Sequence, residues 1–589
     1  MVHDKIAVVD FDGFHAHLIA TQIRRFHVLS EILDPSTPPS ALGAYRGIIL
    51  SGCFPTPGQP VNPAWLALPL PILGLGPAQT ERGKSHQRRS LALRFTSDCT
   101  LTGHLPHEMA VDIDVPPLAL PEGFREIGVI IQPDGTMRHN AAIAHQSHKH
   151  YGLPLFPGDG PRDDSLWLEN FVLRICGCQP TWTIEQVLEE QIATIRQNVG
   201  DRGVFLLVSG GVDSTVCASL LGKALGPDRI HLLHIDNGMM RKNESSHVIA
   251  EFKRLGLARH LHFVDASDRF LSNLAGVIEP EKKRLIIGNT YLEVFEAEAE
   301  RLQLSDMLLG QGTIYPDTVE TGSSGAPAVK THHNRVPLVE KMIAQGRVIE
   351  PIRDLYKVEV RELGERLGVD PSLVWRHPFP GPGLGVRTLC SDGTLPQGHE
   401  QARWQPLIDA QTGPVGMHGL LMPIRSVGMT DHQRTYEQPV FLWGKATEEK
   451  IIRLSENVFR QIPGINRCVV DLTGKGASRM QPLAASLTRQ RLDLLREADE
   501  IVMKGLAHHG LERAIWQCPT VLLPLSIDGK GQELVVVRPV YSERAMTARP
   551  AWLPEPLVSE LLAEILALPG VSGLALDVTP KPPGTIEWE

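Results

Sequence analysis

Short apolar runs alternate with longer helical patterns along most of the chain. Between residues 1 and 178 the runs IAVVDF, GIILSG, LPILGLG, VIIQ and AAIAH predict strands that are separated by helical or loop segments. Between 180 and 388 the runs VFLLV, HLLHID, HLHFVD and MLLGQGTI are separated by helical stretches long enough for crossover connections. The pattern therefore predicts an α/β protein whose second part is a doubly wound parallel sheet.

The last third of the chain contains an internal repeat. The segments IPGINRCVVDLTGKG at 462–476 and LPGVSGLALDVTPKPPG at 568–584 match at a constant offset, and each follows a helical stretch and reads as a turn and a strand. Each is preceded at a distance by an apolar strand, LLMPIRSV or TVLLPLSI. The repeat predicts an α/β domain duplicated in tandem, with copies too small to be stable alone. The matching pairs are Pro463 and Pro569, Gly464 and Gly570, Asp471 and Asp577, Thr473 and Thr579, and Lys475 and Lys581.

The run VFLLV leads directly into the turn SGGVDS and then into a helical pattern. Two glycines let the backbone approach an anion, and the N-terminus of the next helix directs N–H groups and its positive dipole end at the same place. The turn is not a Walker loop, which needs GxxxxGK[ST], and an ordinary strand-to-helix turn is the alternative. We expect a phosphate cradle in which Asp213 orients the turn or holds Mg²⁺. Its residues are Ser209, Gly210, Gly211, Val212, Asp213 and Ser214.

The carboxyl ends of three predicted strands carry candidate ligand-binding residues. SGGVDS follows the first strand, Asp236 ends the second, and Gln311–Thr313 follow the third. Because ligands of such sheets bind outside the carboxyl ends of the strands, we expect these residues to share one crevice. The segment from Ile235 to Gly238 is a candidate for adenine binding, and a purely structural turn is an equal alternative.

Composition indicates the kind of ligand that the protein binds and the cellular compartment in which it is found. A formal net charge of −9 over 589 residues, without an extended basic run, argues against a nucleic-acid partner and favours small-molecule substrates. The eight cysteines are scattered, and Cys176 and Cys178 lack metal-type spacing, which indicates free thiols in a reducing compartment. The N-terminus begins directly with a strand, and no apolar run is long enough for a membrane span. We therefore expect a cytoplasmic protein without a membrane partner.

The patterns divide the chain into three predicted domains, 1–179, 180–390 and 391–589. The first boundary falls before the helical pattern IEQVLEEQIATI. The chain ends in KPPGTIEWE, a proline-stiffened segment that contains Lys581 and Glu587. A frayed tail is the default for a terminus, but charges this specific favour docking into a site.

From about residue 180 to the end, the chain resembles GMP synthetase, the ligase that aminates xanthosine monophosphate (XMP). The SGGVDS turn is similar to the pyrophosphate loop of ATP pyrophosphatases, which adenylate a carbonyl oxygen and release pyrophosphate. The motifs that carry the resemblance are SGGVDS, DRFLSNLAG, KKRLIIG, GQGTIYPD, KTHHN, RHPFPGPGLGVR and KPPGTIEWE.

The resemblance implies ATP and Mg²⁺ as cofactors, with Asp213 as the Mg²⁺ ligand and Asp213 and Lys330 as catalytic residues. The implied ATP-binding residues are Ser209, Gly210, Gly211, Val212, Asp213, Ser214, Ile235, Gly312 and Thr313. The implied XMP-binding residues are Arg284, His332, His333, Gln517, Lys581, Ile586 and Glu587. Arg and Lys suit the nucleotide phosphate, whereas Gln and Glu suit hydrogen bonds to base or ribose.

The first domain resembles the class I glutamine amidotransferase of that family, but its catalytic positions differ. Gly76 stands where a G-x-C-x-G elbow would place the nucleophilic Cys, and Phe156 and Gly158 replace the His and Glu of a His-Pro-Glu segment. Cys53 lies in a different loop and has no His-x-Glu partner in the matching segment. We therefore expect a degenerate scaffold without glutaminase activity. Ammonia would come from solution or from a separate glutaminase subunit.

Two acids near the expected XMP site are also altered, because Asp431 is shifted by one place and Arg544 replaces an Asp. The leading hypothesis is a ligase of GMP synthetase type, monomeric or homodimeric, that acts on XMP or a close purine analogue. One alternative is an enzyme that adenylates another purine or uses a sulfur nucleophile, for which Cys390 is the candidate thiol. The other is a nucleotide-binding regulator without activity.

Overall fold

The computed structural model describes residues 3–12, 15–54, 61–76, 91–111, 120–132, 134–155, 165–303, 306–322, 342, 345–430, 433–529, 532–542 and 547–589. The chain forms two compact units, Met1–Thr194 with Ile314–Ala328 and Ile195–Thr313 with Val329–Glu589, called here the first and the second unit. The predicted domain boundaries near 180 and 391 stay predictions. Within the described part of the chain, no helix is long and apolar enough to cross a membrane.

The described α-helices are α1 Ala16–Arg25, α2 Pro63–Leu66, α3 Leu166–Glu169, α4 Ile184–Val199, α5 Val212–Leu225, α6 Glu244–Arg254, α7 Ser267–Asn273, α8 Pro280–Arg301, α9 Tyr315–Gly322, α10 Lys357–Arg366, α11 Pro371–Val374, α12 Gln401–Thr412, α13 Glu448–Gln461, α14 Arg489–His508 and α15 Glu555–Ile565.

The described strands of the first unit are β1 Lys5–Asp10, β2 Leu29–Leu33, β3 Gly47–Ser51, β4 Ile72–Leu75, β5 Leu91–Phe95, β6 Glu108–Val111, β7 Phe124–Ile131, β8 Met137–His145 and β9 His150–Leu153. Those of the second unit are β10 Val204–Leu207, β11 Ile230–Asp236, β12 Leu261–Asp265, β13 Leu308–Gly310, β14 Val348–Ile349, β15 Ser391–Asp392, β16 Met417–Leu421, β17 Ser426–Thr430, β18 Gln433–Gly444, β19 Ile465–Asp471, β20 Met480–Pro482, β21 Ala484–Ala485, β22 Thr520–Leu523, β23 Leu525–Ile527, β24 Glu533–Val537, β25 Val540–Tyr541, β26 Arg549–Pro550 and β27 Val571–Asp577.

The first unit is built on a mixed sheet in the order β2-β1-β3-β4-β9-β8-β7-β5-β6. Strands β2, β1, β3, β4 and β9 run parallel, whereas β8, β7, β5 and β6 extend the sheet with antiparallel pairs. Strand β3, which lies between β1 and β4, is buried along its whole length, which explains why GIILS reads as a continuous apolar run rather than as an alternation.

The second unit contains a five-stranded sheet in the order β12-β11-β10-β13-β14, and all of its strand pairs are parallel. The parallel sheet predicted from the sequence is therefore confirmed. The chain proceeds from β10 to β11 and β12 on one side and then places β13 on the other side of β10. The strand order therefore reverses beside β10, which is where ligands bind in sheets of this kind.

A second sheet of this unit has the order β16-β18-β19-β27-β24-β22. Its halves share one element order, because each has two antiparallel strands, a helix (α13 or α15) and a strand parallel to the second. The two repeated sequence segments supply β19 and β27, which pair antiparallel at the centre, with Val470 opposite Leu576. The sequence repeat thus coincides with a repeat of element order.

Two apolar runs that were each predicted as one strand are interrupted at a proline. In LLMPIRSV, β16 ends at Leu421 and β17 begins at Ser426, whereas in TVLLPLSI, β22 ends at Leu523 and β23 begins at Leu525. Pro423 and Pro524 have no N–H to donate to a ladder, so each pairing is interrupted there. After Pro423, β17 pairs with another part of β18, the strand that also pairs with β16, whereas after Pro524 the chain leaves β24 and β23 pairs with β20.

Candidate functional site

The turn between β10 and α5 has the backbone of an anion-binding loop. Gly210 has a φ of +80°, and a Cβ at this position would lie 2.4 Å from Cγ2 of Val248, so a larger residue is excluded. Gly211 is the N-cap of α5, which begins at Val212. The first N–H groups of a helix have no intrahelical acceptor, so this end of α5 can bind phosphate oxygens.

Two serine hydroxyls flank the turn. Oγ of Ser209 lies 3.4 Å from Oγ of Ser214 and accepts from the N–H of Gly211 at 3.3 Å. Oγ of Ser214 donates to the carbonyl of Gly211 at 3.0 Å. Gly312 lies against the first turn of α5, because a Cβ there would be 3.3 Å from the backbone of Asp213 and Ser214. The ends of β10 and β13 therefore meet, as the sequence predicts, and the adjacent Thr313 is buried.

Asp213 lies in the first turn of α5, and Lys357 donates to both of its carboxylate oxygens at 2.7 Å. Lys357 begins α10 and belongs to no sequence motif, so the sequence did not indicate it. Mg²⁺ is usually bound by one or two carboxylates together with substrate phosphates, and Asp213 is a carboxylate beside a phosphate-type loop. The residues therefore fit the ion, provided that Lys357 shares or releases the carboxylate.

A buried hydrogen-bond chain joins the end of β11 to the phosphate loop. Nδ1 of His234 lies 2.8 Å from the carbonyl oxygen of Val208, and Nε2 lies 3.0 Å from Oγ of Ser245. Ser245 donates to Asp236 at 2.7 Å, and Asp236 also accepts from the N–H of Gly238 at 2.8 Å. These contacts fix the β11 turn relative to the loop. Ile235 is a core residue, so its side chain packs rather than lying open in the crevice.

Two of the predicted XMP-binding residues contact each other. Nε2 of Gln517 donates to Oε1 of Glu587 at 2.9 Å and to the carbonyl of Pro378 at 3.1 Å. Arg387 donates two hydrogen bonds to the same carboxylate in a bidentate arrangement, with 2.9 Å between Nε and Oε2 and 2.8 Å between Nη2 and Oε1. Pro378 and Arg387 come from the RHPFPGPGLGVR segment, so three distant parts of the sequence meet at this carboxylate.

Arg284 is engaged by the chain terminus, since its guanidinium donates to the carbonyl oxygen of Glu589. The neighbouring Lys283 is fully buried and forms an ion pair with the side chain of Glu589. Lys283 also donates to the carbonyls of Gly385 and Thr388, each at 3.1 Å. Burial raises the pKa of the Glu589 carboxyl above its usual value, even though Lys283 opposes the shift.

Lys581 and Ile586 lie on the same terminal segment. The N–H of Lys581 donates to the carbonyl of Ala548 at 2.8 Å. Ile586 is buried among Val540 and Ala548. The side chain of Ile586 therefore contributes packing, and only its backbone is available for polar contact.

The C-terminal tail is held in place by buried charges. Arg467 donates to the carbonyls of Thr585 and Glu587, each at 2.8 Å, and pairs with Asp577 at 2.9 Å. Trp588 is fully buried, and its Nε1 donates to Asp577 at 3.0 Å. The tail is therefore docked and not frayed, and it presents Glu587 to Gln517 and Arg387.

Comparison with known proteins identifies the family. The family models "GMP synthase C terminal domain" and "NAD synthase" match residues 504–588 and 184–291, respectively. A probable glutamine-hydrolysing GMP synthase of Leptospira interrogans is 38% identical over 618 aligned residues, which cover 100% of both chains. The chain belongs to the GMP synthase family. A glutamine-hydrolysing GMP synthase of Thermobifida fusca is 32% identical, with 100% of this chain and 98% of that one covered. The relative from Dictyostelium discoideum is 34% identical over 76% of this chain and 71% of its own.

Several residues of this GMP synthase family member for which the sequence predicts a role at a site lie outside the residues that the structure describes. They are Phe156, Gly158, Lys330, His332, His333, Asp431 and Arg544. Their roles stay predictions. In the first unit, Gly76 follows β4 directly with a φ of +65°, and its N–H donates to the carbonyl of Leu153 at 2.9 Å. Gly76 thus lies in a left-handed turn and carries no side chain.

Cys53 forms an isolated β-bridge with Leu75, the residue before Gly76, and the environment of its thiol does not suit a nucleophile. Its side chain is fully buried, and burial raises its pKa to about 12. Its Sγ lies 3.5 Å from the carbonyl oxygen of Phe54. Because the thiolate is the reactive form, this cysteine is a packing residue at neutral pH.

Sequence reasoning did not single out three residues that contact the predicted site residues or the C-terminal tail in the structure, Arg387, Lys283 and Lys357. Arg387 ends the quoted RHPFPGPGLGVR segment, and Lys283 precedes Arg284 in KKRLIIG, so both were inside motifs. The signal for Arg387 was a cation at the end of a glycine-rich run, whereas Lys283 lies in a cluster of three cations, Lys282 to Arg284, and was not distinguished from its neighbours. Lys357 had no comparable signal, because its role depends on the contact between α10 and α5.

Proposed function

We propose that this chain is an ATP-dependent ligase that converts XMP, or a close purine nucleotide, to GMP with release of AMP and pyrophosphate. The observation that carries the proposal is that one compact unit contains both the phosphate loop at Ser209–Ser214 and the Gln517–Glu587–Arg387 cluster. An activating nucleotide and an acceptor nucleotide therefore each have candidate ligands in the same unit.

The first step would be adenylation. The C2 oxygen of the purine attacks the α-phosphorus of ATP, a P–O bond to the β-phosphate breaks, and pyrophosphate leaves. The N–H groups at the start of α5 and the hydroxyls of Ser209 and Ser214 would stabilise the charge on the departing phosphates. Mg²⁺, held at Asp213, would supply a further positive charge on the phosphate oxygens. Lys357 would share the Asp213 carboxylate with the ion and keep it oriented, and Lys330 is the candidate cation for the α-phosphate.

The second step would be amination. Ammonia attacks C2, the C2–O bond breaks, and AMP leaves with the oxygen. Glu587 accepts hydrogen bonds and Gln517 both donates and accepts, so this pair suits the base or ribose, whereas Arg284 and Lys581 suit the nucleotide phosphate. We propose free ammonia, or ammonia from a separate glutaminase subunit, as the nitrogen source, because Gly76 offers no nucleophile.

We also propose that the second sheet arose by tandem duplication. The shared element order around β19 and β27 supports this idea, and the C-terminal family model matches only residues 504–588, that is, the second copy. Since the two copies pair with each other along these central strands, we expect a monomer. Light scattering of the purified protein would test this expectation, and a stable dimer would contradict it.

A sulfur nucleophile at Cys390 receives no support. Burial raises the pKa of this thiol, even though Lys283 lies 3.8 Å away and opposes the shift. A reactive cysteine needs the opposite shift.

The deciding experiment measures pyrophosphate release by the full chain with ATP, Mg²⁺ and XMP, and compares ammonium with glutamine. We expect GMP with ammonium and at most background with glutamine. Equal rates with glutamine would contradict the proposed loss of glutaminase activity. No turnover with XMP or any other purine monophosphate would contradict the ligase.

A further inference from the structure

A row of charges of alternating sign crosses the second unit from the phosphate loop to the terminal tail. A Cβ on Gly210 would lie 3.9 Å from Nη1 of Arg376, so the row begins beside the loop. Arg376 donates to the buried carboxylate of Glu244, which also accepts from the N–H of Arg241 at 3.0 Å. The members of the row, in order, are Arg376, Glu244, Arg241, Asp499, Arg387 and Glu587.

The centre of the row is Asp499, which lies between two arginines. Its Oδ2 is 3.3 Å from Nε of Arg241, and its Oδ1 is 3.9 Å from Nη1 of Arg387. The ring of Phe379 also lies between these arginines, with its centroid 4.5 Å from Cζ of Arg241 and 5.2 Å from Cζ of Arg387. Both guanidinium groups are therefore restrained by an aromatic face and by a carboxylate.

The Arg387 guanidinium is fully buried, and one of its three nitrogen atoms makes no hydrogen bond to the C-terminal tail. Its Nε and Nη2 bind Glu587, whereas Nη1 has no hydrogen-bond partner and neither does Oδ1 of Asp499. Buried charges with unsatisfied atoms are inefficient stabilisers of a fold. Across 3.9 Å, however, the attraction between Asp499 and Arg387 still favours one orientation of the guanidinium plane.

Most of the hydrogen-bond acceptor sites of the Glu587 carboxylate are occupied by Arg387 and Gln517. A carboxylate has about four acceptor sites. Three are used by Nε and Nη2 of Arg387 and by Nε2 of Gln517. The carboxylate is therefore held from two sides, and one acceptor site at a fixed position is left for a ligand.

We propose that Arg387 and Asp499 are positioning residues for the acceptor nucleotide. Asp499 orients the guanidinium of Arg387, and Arg387 fixes the Glu587 carboxylate so that its remaining lone pair accepts from one N–H or O–H group of the base or ribose. The inference rests on the proposed ligase function, because it assumes that Glu587 binds the acceptor nucleotide. It adds two residues that do not themselves touch the nucleotide.

The test uses the full chain and the variants Asp499→Asn and Arg387→Lys. Asp499→Asn keeps a polar group but loses the negative charge, and Arg387→Lys keeps the positive charge but loses the bidentate geometry. In each variant the KM for XMP should rise at least about tenfold. The kcat and the KM for ATP should stay within about threefold, since neither residue contacts ATP or the reacting atoms. Arg491→Lys is the matched control, because Arg491 forms a similar two-armed pair with Glu533 at 2.8 and 2.6 Å.

A double-mutant cycle distinguishes an effect of Asp499 that passes through Glu587 from a general loss of structure. In a Glu587→Gln background, Asp499→Asn should add less than about threefold to the KM for XMP, because its effect passes through Glu587. An unchanged KM in both single variants, or a full additive effect in the double variant, overturns the inference. So does a loss confined to kcat that Arg491→Lys reproduces.

Direct binding of XMP to the wild-type chain by calorimetry keeps the two proposals apart. If the wild type neither binds XMP nor releases pyrophosphate, the ligase proposal fails and the positioning inference fails with it. If the wild type is active and the variants keep its KM, only the positioning inference fails. Where Asp499→Asn lowers the yield of folded protein, Arg387→Lys gives the same measurement with the charge retained.

Discussion

Two glycine turns at the carboxyl ends of parallel strands have similar backbones and different chemistry. Gly210 follows β10 with a φ of +80°, and Gly76 follows β4 with a φ of +65°. The first turn is surrounded by hydroxyls and an acid that is paired with Lys357, whereas Gly76 in the second turn carries no side chain. The backbone of such a turn is maintained by the sheet. A left-handed glycine can therefore occur in such a turn whether or not polar side chains surround it.

The largest expected effect comes from filling the phosphate loop. Gly210→Ala places a Cβ 2.4 Å from Cγ2 of Val248 in a left-handed backbone. Because the loop must shift, and a displacement of 1 Å can cost about 100-fold in rate, pyrophosphate release should fall at least that far. The control is Gly226→Ala, whose φ of +83° imposes similar strain with nothing within 4 Å of the added Cβ. Wild-type rates for Gly210→Ala would show that the loop does not bind phosphates.

A smaller effect is expected from removing the partner of Asp213. Lys357→Met removes the donor to both carboxylate oxygens, so the acid loses its orientation and kcat should fall about tenfold. Steady-state pyrophosphate release checks this at saturating ATP and Mg²⁺. Lys504→Met is the control, because it removes an exposed pair with Glu500, at 3.0 Å, that should contribute little. Equal effects of the two substitutions would contradict a specific role for Lys357.

The first unit should respond to pH through His150. Burial, with His148 and His145 nearby, lowers its pKa from 6.5 to about 4. The unfolded chain therefore binds this proton at higher pH than the folded protein. The contribution of His150 to stability is full above about pH 6.5 and is lost as the pH falls to about 4, by at most about 3 kcal/mol.

Urea unfolding of the full chain between pH 4 and 7.5 measures this loss. His150→Gln is the comparison, since the difference between the two pH profiles isolates the histidine from titrating acids. Parallel profiles would mean that His150 titrates normally in the folded protein.

The smallest effect is expected from replacing Cys53, the cysteine near the second turn. Cys53→Ala should leave ammonia-dependent turnover within about twofold of the wild type, because the thiol only packs. In the wild type, a pKa of about 12 leaves roughly one thiolate in 10,000 at pH 8, so alkylation at Cys53 should be very slow. Peptide mass spectrometry after iodoacetamide treatment measures this. Rapid labelling of Cys53, or glutamine hydrolysis that this substitution abolishes, would restore a catalytic role to the first unit.

Local patterns predicted much of the fold because they report on local physics. The continuous apolar run VFLLV is buried as β10 at the centre of a parallel sheet, and the helical pattern from 184 forms α4. The single-strand interpretation of LLMPIRSV and TVLLPLSI was wrong, although each contains a proline that marks the interruption. For the candidate site, the family resemblance indicated Gln517 and Glu587, which are in contact, but it did not indicate Arg387, which binds the Glu587 carboxylate.

The sequence by itself determined the glycine-rich turn after β10, the element order of the parallel sheet, the internal repeat and the glycine at position 76. These features depend on residue type and spacing along short segments, where backbone preferences and the chemistry of side chains act directly. Only the tertiary structure decided that Lys357 pairs with Asp213, that Arg387 and Gln517 meet at Glu587, and that Asp499 lies between two arginines. Such contacts join residues more than 60 positions apart, so their partners are set by how helices and strands pack and not by any local pattern.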